Sequence, residues 1–523
     1  MKIHLTKNAV YTTAVLLFAY YLFMAFHIFK GGTFSNEGLF YAEKAALLAD
    51  QDLDKLKLVG LVFPQLPFIC TWFFSIFNQL FAPFAASAAG GAILFYIVVS
   101  SIGNHPSRNW LFVGILLTFV FHPGFLFIAV SGKSIYMMLI FFYLFISSFF
   151  RYFKSNTSYH ISLASIYFTL LVFCKFKFIW LVLFILPVIF VSALQSMQIG
   201  QHHFLDRIAF ALNSISIRRK LVNKTIAVYL VIFALPLTTL LIYKILNQMY
   251  TGDGNYFLDS PYANFSAIVN QTENFEGFLK TRINVFLPEV NFLTSVRVMV
   301  YAPLLLFCLA IFKSTLRNLF IVLSLFFFIE FLKIKYTGVY IPIEYYIGFI
   351  CLCWAIILNS SQTRTIRYTE QFYIAIIFVQ MSTGYLMMAG SHIPEERKYA
   401  GALKRLIFEG KTQLQDGEMR IANYIKTLPK KVSILADDAT AYRIIALSAS
   451  AKQFLVPAQH RFLSAFEQPE SHVQYILINK KQSALSNFSL LSEQILSKLD
   501  QNHVVYKNCL NDKNWILIQI IKK

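Results

Sequence analysis

The sequence predicts a polytopic α-helical membrane protein with a small α/β domain at its C-terminal end. Hydrophobic residues make up 57% of the 523 residues and charged residues only 14%, with a mean hydropathy of +0.58. Runs of about 20 apolar residues, the length that an α-helix needs to cross a bilayer, recur between positions 8 and 390. Beyond position 412, short β-branched runs alternate with polar segments, which is typical of a small α/β fold.

The membrane region is predicted to occupy residues 1–391 and to contain about eleven spans. Its first apolar run begins near residue 8 and is long enough to cross the bilayer, so no cleavable signal is expected. The predicted spans are residues 8–29, 84–102, 111–130, 135–150, 161–173, 178–195, 225–247, 298–312, 319–332, 340–358 and 372–390.

The net charge of +20 is explained by membrane topology, and nucleic acid is not expected as a partner. With the N-terminus in the cytoplasm, the basic residues of the short loops, such as Arg108, Arg151 and Arg218, fall on the cytoplasmic side. Nearly all acids of the membrane region fall on the other side. Because Lys and Arg favour the cytoplasmic side and its anionic lipids, this distribution predicts membrane lipids as partners and an extracytoplasmic C-terminal domain.

One apolar segment, residues 61–81, conflicts with this topology if it spans. Every later loop would then change sides, and the excess of basic residues on the cytoplasmic side would be lost. Pro64 and Pro67 also disrupt its first turns. We therefore expect residues 31–83 to form one outer loop with two interfacial helices, the first over 36–50.

The C-terminal domain is predicted to occupy residues 392–523, after a charged joint at about 391–411. Only one of the six cysteines, Cys509, lies in this domain, which excludes an internal disulfide there. The sequence has no CxxC motif or His cluster of the kind that holds structural zinc. The predicted strands are residues 432–437, 474–479, 503–507 and 515–521.

Glu37 is the first candidate for chemistry, because it begins the carboxylate-bearing helix of the outer loop. Its carboxylate could act as a general base on an acceptor hydroxyl or could hold a divalent metal that binds phosphate. Alternatively, Glu37 is only a first-turn acid that stabilises the helix dipole after a Ser35 or Asn36 cap. Tyr41 shares its helix face at i, i+4, and Glu43 lies on another face.

Three groups of lysines accompany Glu37 on the predicted outer side. Each could stabilise a phosphate as a point charge, and each could instead extend along the apolar surface from a helix end to water. Lysines within an otherwise unbroken apolar stretch also indicate a break in the helix. The groups are Lys133 in a loop, Lys175 with Lys177 in "CKFKFIW", and Lys333 with Lys335 and Tyr340 in "LKIKYTGVY".

The first outer loop, "EGLFYAEKAALLADQD…GLVFPQLPFICTW", resembles that of the C-type glycosyltransferases (GT-C). It is most similar to the protein-mannosyltransferase and aminoarabinose-transferase branch, which is glycosyltransferase family 39-like. Glu37 occupies the position of the catalytic aspartate of that family. Gln65-Leu66 and Gly132-Lys133 depart from its pattern, which commonly has Glu-Lys and an acid there. Further matches are Tyr41-Ala42-Glu43, Gly60-Leu61, Pro67, Trp72, Lys175 and Lys177 ahead of Pro187, and the stretch from Tyr340 to Pro342.

The resemblance implies an inverting enzyme that transfers a sugar from a polyprenyl-phosphate donor to a lipid, glycan or protein acceptor. It further implies a bacterial inner membrane protein acting on its outer face in cell-envelope, lipopolysaccharide or protein glycosylation. In this interpretation Glu37 is catalytic. The substrate-binding residues are Tyr41, Glu43, Lys133, Lys175, Lys177, Lys333, Lys335 and Tyr340. No cofactor is assigned, and a divalent metal is left open. The alternatives are a transporter or flippase of lipid-linked sugars and a non-catalytic envelope assembly protein.

Overall fold

The computed structural model describes most of the chain as helix, with one sheet near the C-terminal end. The described residues are 7–49, 55–103, 108–197, 204–260, 262–263, 288–311, 315–336, 341–359, 369–408, 417–448, 450–480, 491, 494–501 and 504–521.

Seventeen α-helices are described up to residue 389, and all eleven predicted spans overlap helix. They are α1 Lys7–Lys30, α2 Asn36–Leu48, α3 Gln65–Ser75, α4 Ala82–Ser100, α5 Arg108–Phe121, α6 Pro123–Val130, α7 Ile135–Ser155, α8 Ser158–Cys174, α9 Leu181–Ser196, α10 Phe204–Asn213, α11 Ile215–Thr251, α12 Tyr256–Asp259, α13 Pro288–Tyr301, α14 Leu304–Ile311, α15 Thr315–Tyr336, α16 Ile343–Asn359 and α17 Thr369–Ala389.

Among the described residues, six helices are long and apolar enough to cross a membrane. A seventh is added if α5 and α6, which are bent by 60° at His122, count as one span. The helices α8 and α16 are apolar but shorter. The helical membrane class is therefore confirmed, but the predicted number of eleven spans is not.

The first loop contains both predicted helices, but they have different surroundings. Residues 38–47 of α2 are buried, because α2 packs between the membrane helices and the C-terminal sheet domain. It therefore does not lie on a lipid surface, contrary to the expectation for an interfacial helix. In contrast, α3 exposes Ile69, Trp72 and Phe73, the apolar face that an interfacial helix presents. With 11 residues, α3 is too short to span.

The C-terminal part folds into a five-stranded mixed sheet of order β2-β1-β3-β5-β4. Strands β1 to β3 are parallel, while β5 runs antiparallel to β3 and β4. Each predicted strand segment contains part of a strand, and β2 was not predicted. The strands are β1 Ile434–Leu435, β2 Phe454–Leu455, β3 Tyr475–Asn479, β4 Tyr506–Asn511 and β5 Trp515–Ile520.

Six further helices are described after residue 389. The first, α18, lies in the predicted joint, where its Tyr399, Ala400 and Leu403 pack into the core of the membrane helices. The third, α20, follows β1 and packs on α2. Their bounds are α18 Pro394–Phe408, α19 Gly417–Thr427, α20 Asp438–Leu447, α21 Phe462–Glu467, α22 Pro469–His472 and α23 Gln494–Gln501.

Candidate functional site

The first turn of α2 presents Glu37 to a loop between α6 and α7. Ser35 caps the helix: its hydroxyl accepts a hydrogen bond from the Gly38 amide at 2.9 Å and donates one to the Ser131 carbonyl at 2.7 Å. Gly132, with a φ of 72°, then turns the loop in a conformation that glycine adopts readily. This turn brings Lys133 and Ser134 next to Glu37.

The Glu37 carboxylate is held by two neighbouring residues. Its Oε1 accepts a hydrogen bond from the Tyr41 hydroxyl at 2.9 Å, as the i, i+4 spacing suggested, and one from the Ser134 amide at 3.2 Å. The Ser134 hydroxyl donates to the same oxygen. Burial and the Glu37 charge raise the pKa of Tyr41 well above its ordinary value, so its hydroxyl remains a donor. Glu37 itself is partly exposed.

Lys133 is positioned by Glu395 of α18. Its Nζ lies 2.6 Å from Glu395 Oε2 and 5.4 Å from the centre of the Phe127 ring. Burial opposes the positive charge, but Glu395, Glu344 and Glu37 together raise the pKa of Lys133 above its ordinary value. Lys133 therefore remains protonated beside Glu395.

Lys175 lies at a break in the helix, as the lysines of "CKFKFIW" predict. After α8 ends at Cys174, Lys175 is extended with a φ of −146°, and a 3₁₀ turn, Phe176–Trp180, leads into α9. The Lys175 ammonium forms an ion pair with Glu344 in the first turn of α16. Although burial lowers the pKa of Lys175, Glu344 and Glu37 are among the groups that raise it above its ordinary value.

These residues form one charged group, which we call the Glu37 cluster: Glu37, Lys133, Lys175, Glu344 and Glu395. Its three carboxylates all lie in first turns of helices, α2, α16 and α18, where the helix dipole favours negative charge. The two lysines lie in the breaks between other helices. The cluster therefore gathers five separate chain segments at one place.

Two cavities lie beside the cluster. The first is lined by Glu344, Tyr345 and apolar side chains that include Phe178 and Phe328. The second is lined by Lys177, Lys333, Tyr336 and Ile341 among others. Tyr345 and Ile329 line both cavities. An apolar space and a lysine-lined space therefore adjoin each other next to Lys175.

The remaining predicted lysines lie farther along these helices. Lys177 Nζ lies 4.5 Å from the centre of the Tyr336 ring. Lys333 is buried, with hydrogen bonds of 2.8 Å to Thr294 and to Glu330. Lys335 is exposed, and its Nζ lies 3.9 Å from the Trp180 ring centre. Tyr340 lies outside the described residues.

Glu43 does not join the Glu37 cluster. It belongs to a second charged group, the interdomain cluster, formed by Glu43, Lys44 and Asp438. Lys44 Nζ lies 2.5 Å from Asp438 Oδ2 and 3.4 Å from Glu43 Oε2, and all three side chains are almost completely buried. This cluster connects α2 to the first residue of α20 in the sheet domain.

Sequence reasoning missed Ser134 and Glu395 as site residues. Ser134 follows the singled-out Lys133 directly, so its hydroxyl beside Glu37 could have been suspected. Glu395 lies 262 positions from its partner Lys133 in a segment interpreted as a joint, and no local pattern marks it. Gln65, at a departure from the family pattern, donates hydrogen bonds to the Val62 carbonyl and the Tyr243 hydroxyl.

Four of the five charged groups of the Glu37 cluster are arranged as two ion pairs. In the part of the chain that the structure describes, no three His, Cys, Asp or Glu side chains are grouped as metal ligands would be. The carboxylates Glu344 and Glu395 are paired with lysines instead. Direct ammonium pairing competes with the binding of a cation, so these two carboxylates are assigned to the lysines.

Comparison with known proteins yields structural similarity only. No family model and no curated protein matches the sequence. Two solved structures that it resembles are of an archaeal oligosaccharyltransferase. AglB from Archaeoglobus fulgidus, in complex with an inhibitory peptide and a dolichol-phosphate, is 10% identical over 94% of this chain and 71% of that one, with a TM-score of 0.39. The apo oligosaccharyltransferase of the same organism is 11% identical over 89% and 69%, with a TM-score of 0.38.

Both structures are remote matches, at 10% and 11% sequence identity. Their TM-scores are too low to transfer a fold or an activity to this chain. The function is therefore inferred from its own residues.

Proposed function

We propose that this protein is a membrane glycosyltransferase that uses a polyprenyl-phosphate sugar. The observation that carries the proposal is the Glu37 cluster: a partly exposed carboxylate together with two partly exposed ammonium groups, next to an apolar cavity and a lysine-lined cavity. Such a site suits a ligand that has an anionic head and an apolar chain. The GT-C resemblance of the first loop supports the same class of donor.

The donor is proposed to bind with its prenyl chain in the apolar cavity and its phosphate near Lys175. Lys177 and Lys333, which line the second cavity, add positive charge on the same side. Lys175 is already paired with Glu344. Because its ammonium can donate three hydrogen bonds, it can bind a phosphate oxygen at the same time. Lysines in a partly buried site stabilise phosphate more strongly than lysines in water.

In the proposed reaction, an acceptor hydroxyl attacks the anomeric carbon of the sugar from the face opposite the phosphate. The new carbon–oxygen bond forms as the bond from that carbon to the phosphate oxygen breaks, and the electron pair leaves with the phosphate. Glu37 takes the acceptor proton, and Tyr41 and Ser134 orient its carboxylate. Lys175 stabilises the leaving phosphate, with Lys133 contributing positive charge beside it.

The location of this reaction is part of the proposal. The excess of basic residues in the predicted cytoplasmic loops supports a site on the outer face of a bacterial inner membrane, with the sheet domain outside the cytoplasm. The acceptor is a lipid, a glycan or a protein that reaches this face.

A transfer assay with radiolabelled polyprenyl-phosphate sugar tests the proposal against its rivals. The protein is reconstituted in liposomes with envelope lipids and proteins as acceptors. Release of polyprenyl phosphate together with labelled acceptor is the expected result. Movement of the donor across the bilayer without release would indicate a flippase. Neither release nor movement would indicate an assembly protein and would contradict the proposal.

A further inference from the structure

Glu395 has no role in the reaction described above, although it makes two contacts with the site. It is the second residue of α18, the helix that follows the last predicted span and packs on the membrane helices. Its side chain is only 20% exposed. A partly buried carboxylate that far from Glu37 in sequence requires a structural reason for being there.

The two oxygens of Glu395 bind different parts of the site. Oε1 accepts a hydrogen bond of 3.0 Å from the backbone amide of Asn36, while Oε2 pairs with Lys133 at 2.6 Å. The Asn36 amide is one of the first-turn donors of α2 that have no partner within the helix. One carboxylate therefore fixes both the residue next to Glu37 and a lysine of the cluster.

Asn36 is also held from the sheet domain. Arg443 of α20 donates a hydrogen bond of 2.5 Å from Nη1 to the side-chain oxygen of Asn36. The Nε of Arg443 lies 2.6 Å from Glu418 Oε2 in α19. The start of α2 is thus fixed by α18 on its backbone and by the sheet domain on its side chain, directly before Glu37.

We infer that Glu395 is a positioning residue of the site: it holds Lys133 away from Glu37 and fixes the first turn of α2. The inference rests on the proposed function. Without the charge of Glu395, the carboxylates that remain near Lys133 are Glu344, Glu37 and Glu396. Glu344 is already paired with Lys175, and Glu396 already accepts hydrogen bonds from the Ile343 amide and the Ser391 hydroxyl. Lys133 then pairs with Glu37, and an ion-paired carboxylate is a poorer base. Glu395 thereby keeps Glu37 available for the acceptor proton.

A double-mutant cycle separates this role from a general structural one. The variants are Glu395→Gln, Lys133→Gln and the double variant, each assayed for release of polyprenyl phosphate. Glu395→Gln keeps an acceptor for the Asn36 amide but frees Lys133, so kcat should fall about 10- to 100-fold with little change in the KM for the donor. The double variant should be no slower than Lys133→Gln alone, because the ammonium of Lys133, which Glu395 holds in the wild type, is absent from both. If the losses in kcat of the two single variants add up in the double variant, the inference is overturned.

The controls keep the two proposals distinguishable. Arg420→Gln removes an exposed ion pair with Asp512 in the sheet domain and should leave kcat unchanged. If Glu395→Gln does not fold, Glu395→Ala, which also removes the charge, replaces it in the cycle. An inactive wild type would contradict the proposed function and the inference with it. An active wild type with unchanged kcat in the Glu395 variants would overturn only the inference.

Discussion

The two ends of helix α2 carry charged clusters that differ in their access to solvent. At the N-terminal end, Lys133 and Glu395 are 13% and 20% exposed, Lys175 is 27% exposed, and cavities adjoin the cluster. At the other end, the side chains of Glu43, Lys44 and Asp438 are at most 1% exposed. A reacting group must be reached by its substrate, whereas a domain contact must exclude water. The comparison therefore supports the proposal that the first cluster carries the chemistry and the second attaches the sheet domain.

Glu37→Gln should have the largest effect and tests the first half of the comparison. The glutamine side chain keeps the size and an acceptor for Tyr41 but cannot take a proton, so transfer should fall about 10²- to 10⁴-fold. The rate is measured by release of polyprenyl phosphate, and the melting temperature should stay at the wild-type value. The matched control is Glu467→Gln, which changes an exposed glutamate. Full activity of the Glu37 variant would exclude Glu37 as the base.

Asp438→Asn tests the second half through stability. It removes the closer carboxylate from the buried Lys44 ammonium, and breaking such a pair should lower the free energy of unfolding by about 3 kcal/mol. Urea-dependent proteolysis of the sheet domain measures the loss, and the transfer rate per folded molecule should be retained. Asp512→Asn, in an exposed pair with Arg420, should cost less than about 1 kcal/mol. Equal losses of unfolding free energy in the two variants would show that the buried pair stabilises the protein no more than the exposed pair does.

Lys175→Gln and Lys335→Gln sharpen the comparison within the membrane region. Lys175 adjoins the apolar cavity, and its substitution should lower kcat/KM for the donor about 10- to 100-fold, because the leaving phosphate loses a nearby charge. Lys335 is exposed to water, which screens its charge, so an effect below about threefold is expected. Titration of each variant with the donor measures its kcat/KM. Equal effects would mean that position beside the cavity is irrelevant.

Glu43→Gln should have the smallest effect, which depends on pH. Burial is the main cause that raises the pKa of Glu43 to about 8, and Asp438 adds to it against the opposing charge of Lys44. Because the unfolded value is near 4.5, the folded state holds the proton more tightly. The stability that this proton contributes is complete below about pH 4.5 and is lost as the pH rises to about 8.

Urea unfolding of the sheet domain at pH 5 and pH 8 measures this dependence. The wild type should lose stability between the two pH values, and Glu43→Gln should lose clearly less, since an amide side chain does not ionise in this range. An identical decline in both proteins would show that Glu43 does not titrate in the folded state. Transfer activity is not expected to follow this pH dependence.

Local patterns in the sequence predicted those features that depend on a few neighbouring residues. The i, i+4 spacing of Glu37 and Tyr41 predicted their shared face, and two lysines in an apolar stretch predicted the break at Lys175. Contacts between distant segments could not be predicted in this way. Helix α2 was expected at the membrane interface. The partner that buries it, Asp438, which pairs with Lys44, lies 394 positions later and leaves no mark in the local sequence. Glu395 was missed for the same reason.

The most direct test of the central claim is a structure of the protein with bound polyprenyl phosphate. The account predicts a phosphate oxygen about 2.8 Å from Lys175 Nζ, the prenyl chain in the apolar cavity, and Glu37 facing the phosphate. A phosphate bound away from the Glu37 cluster, with Lys175 still paired only to Glu344, would contradict the account.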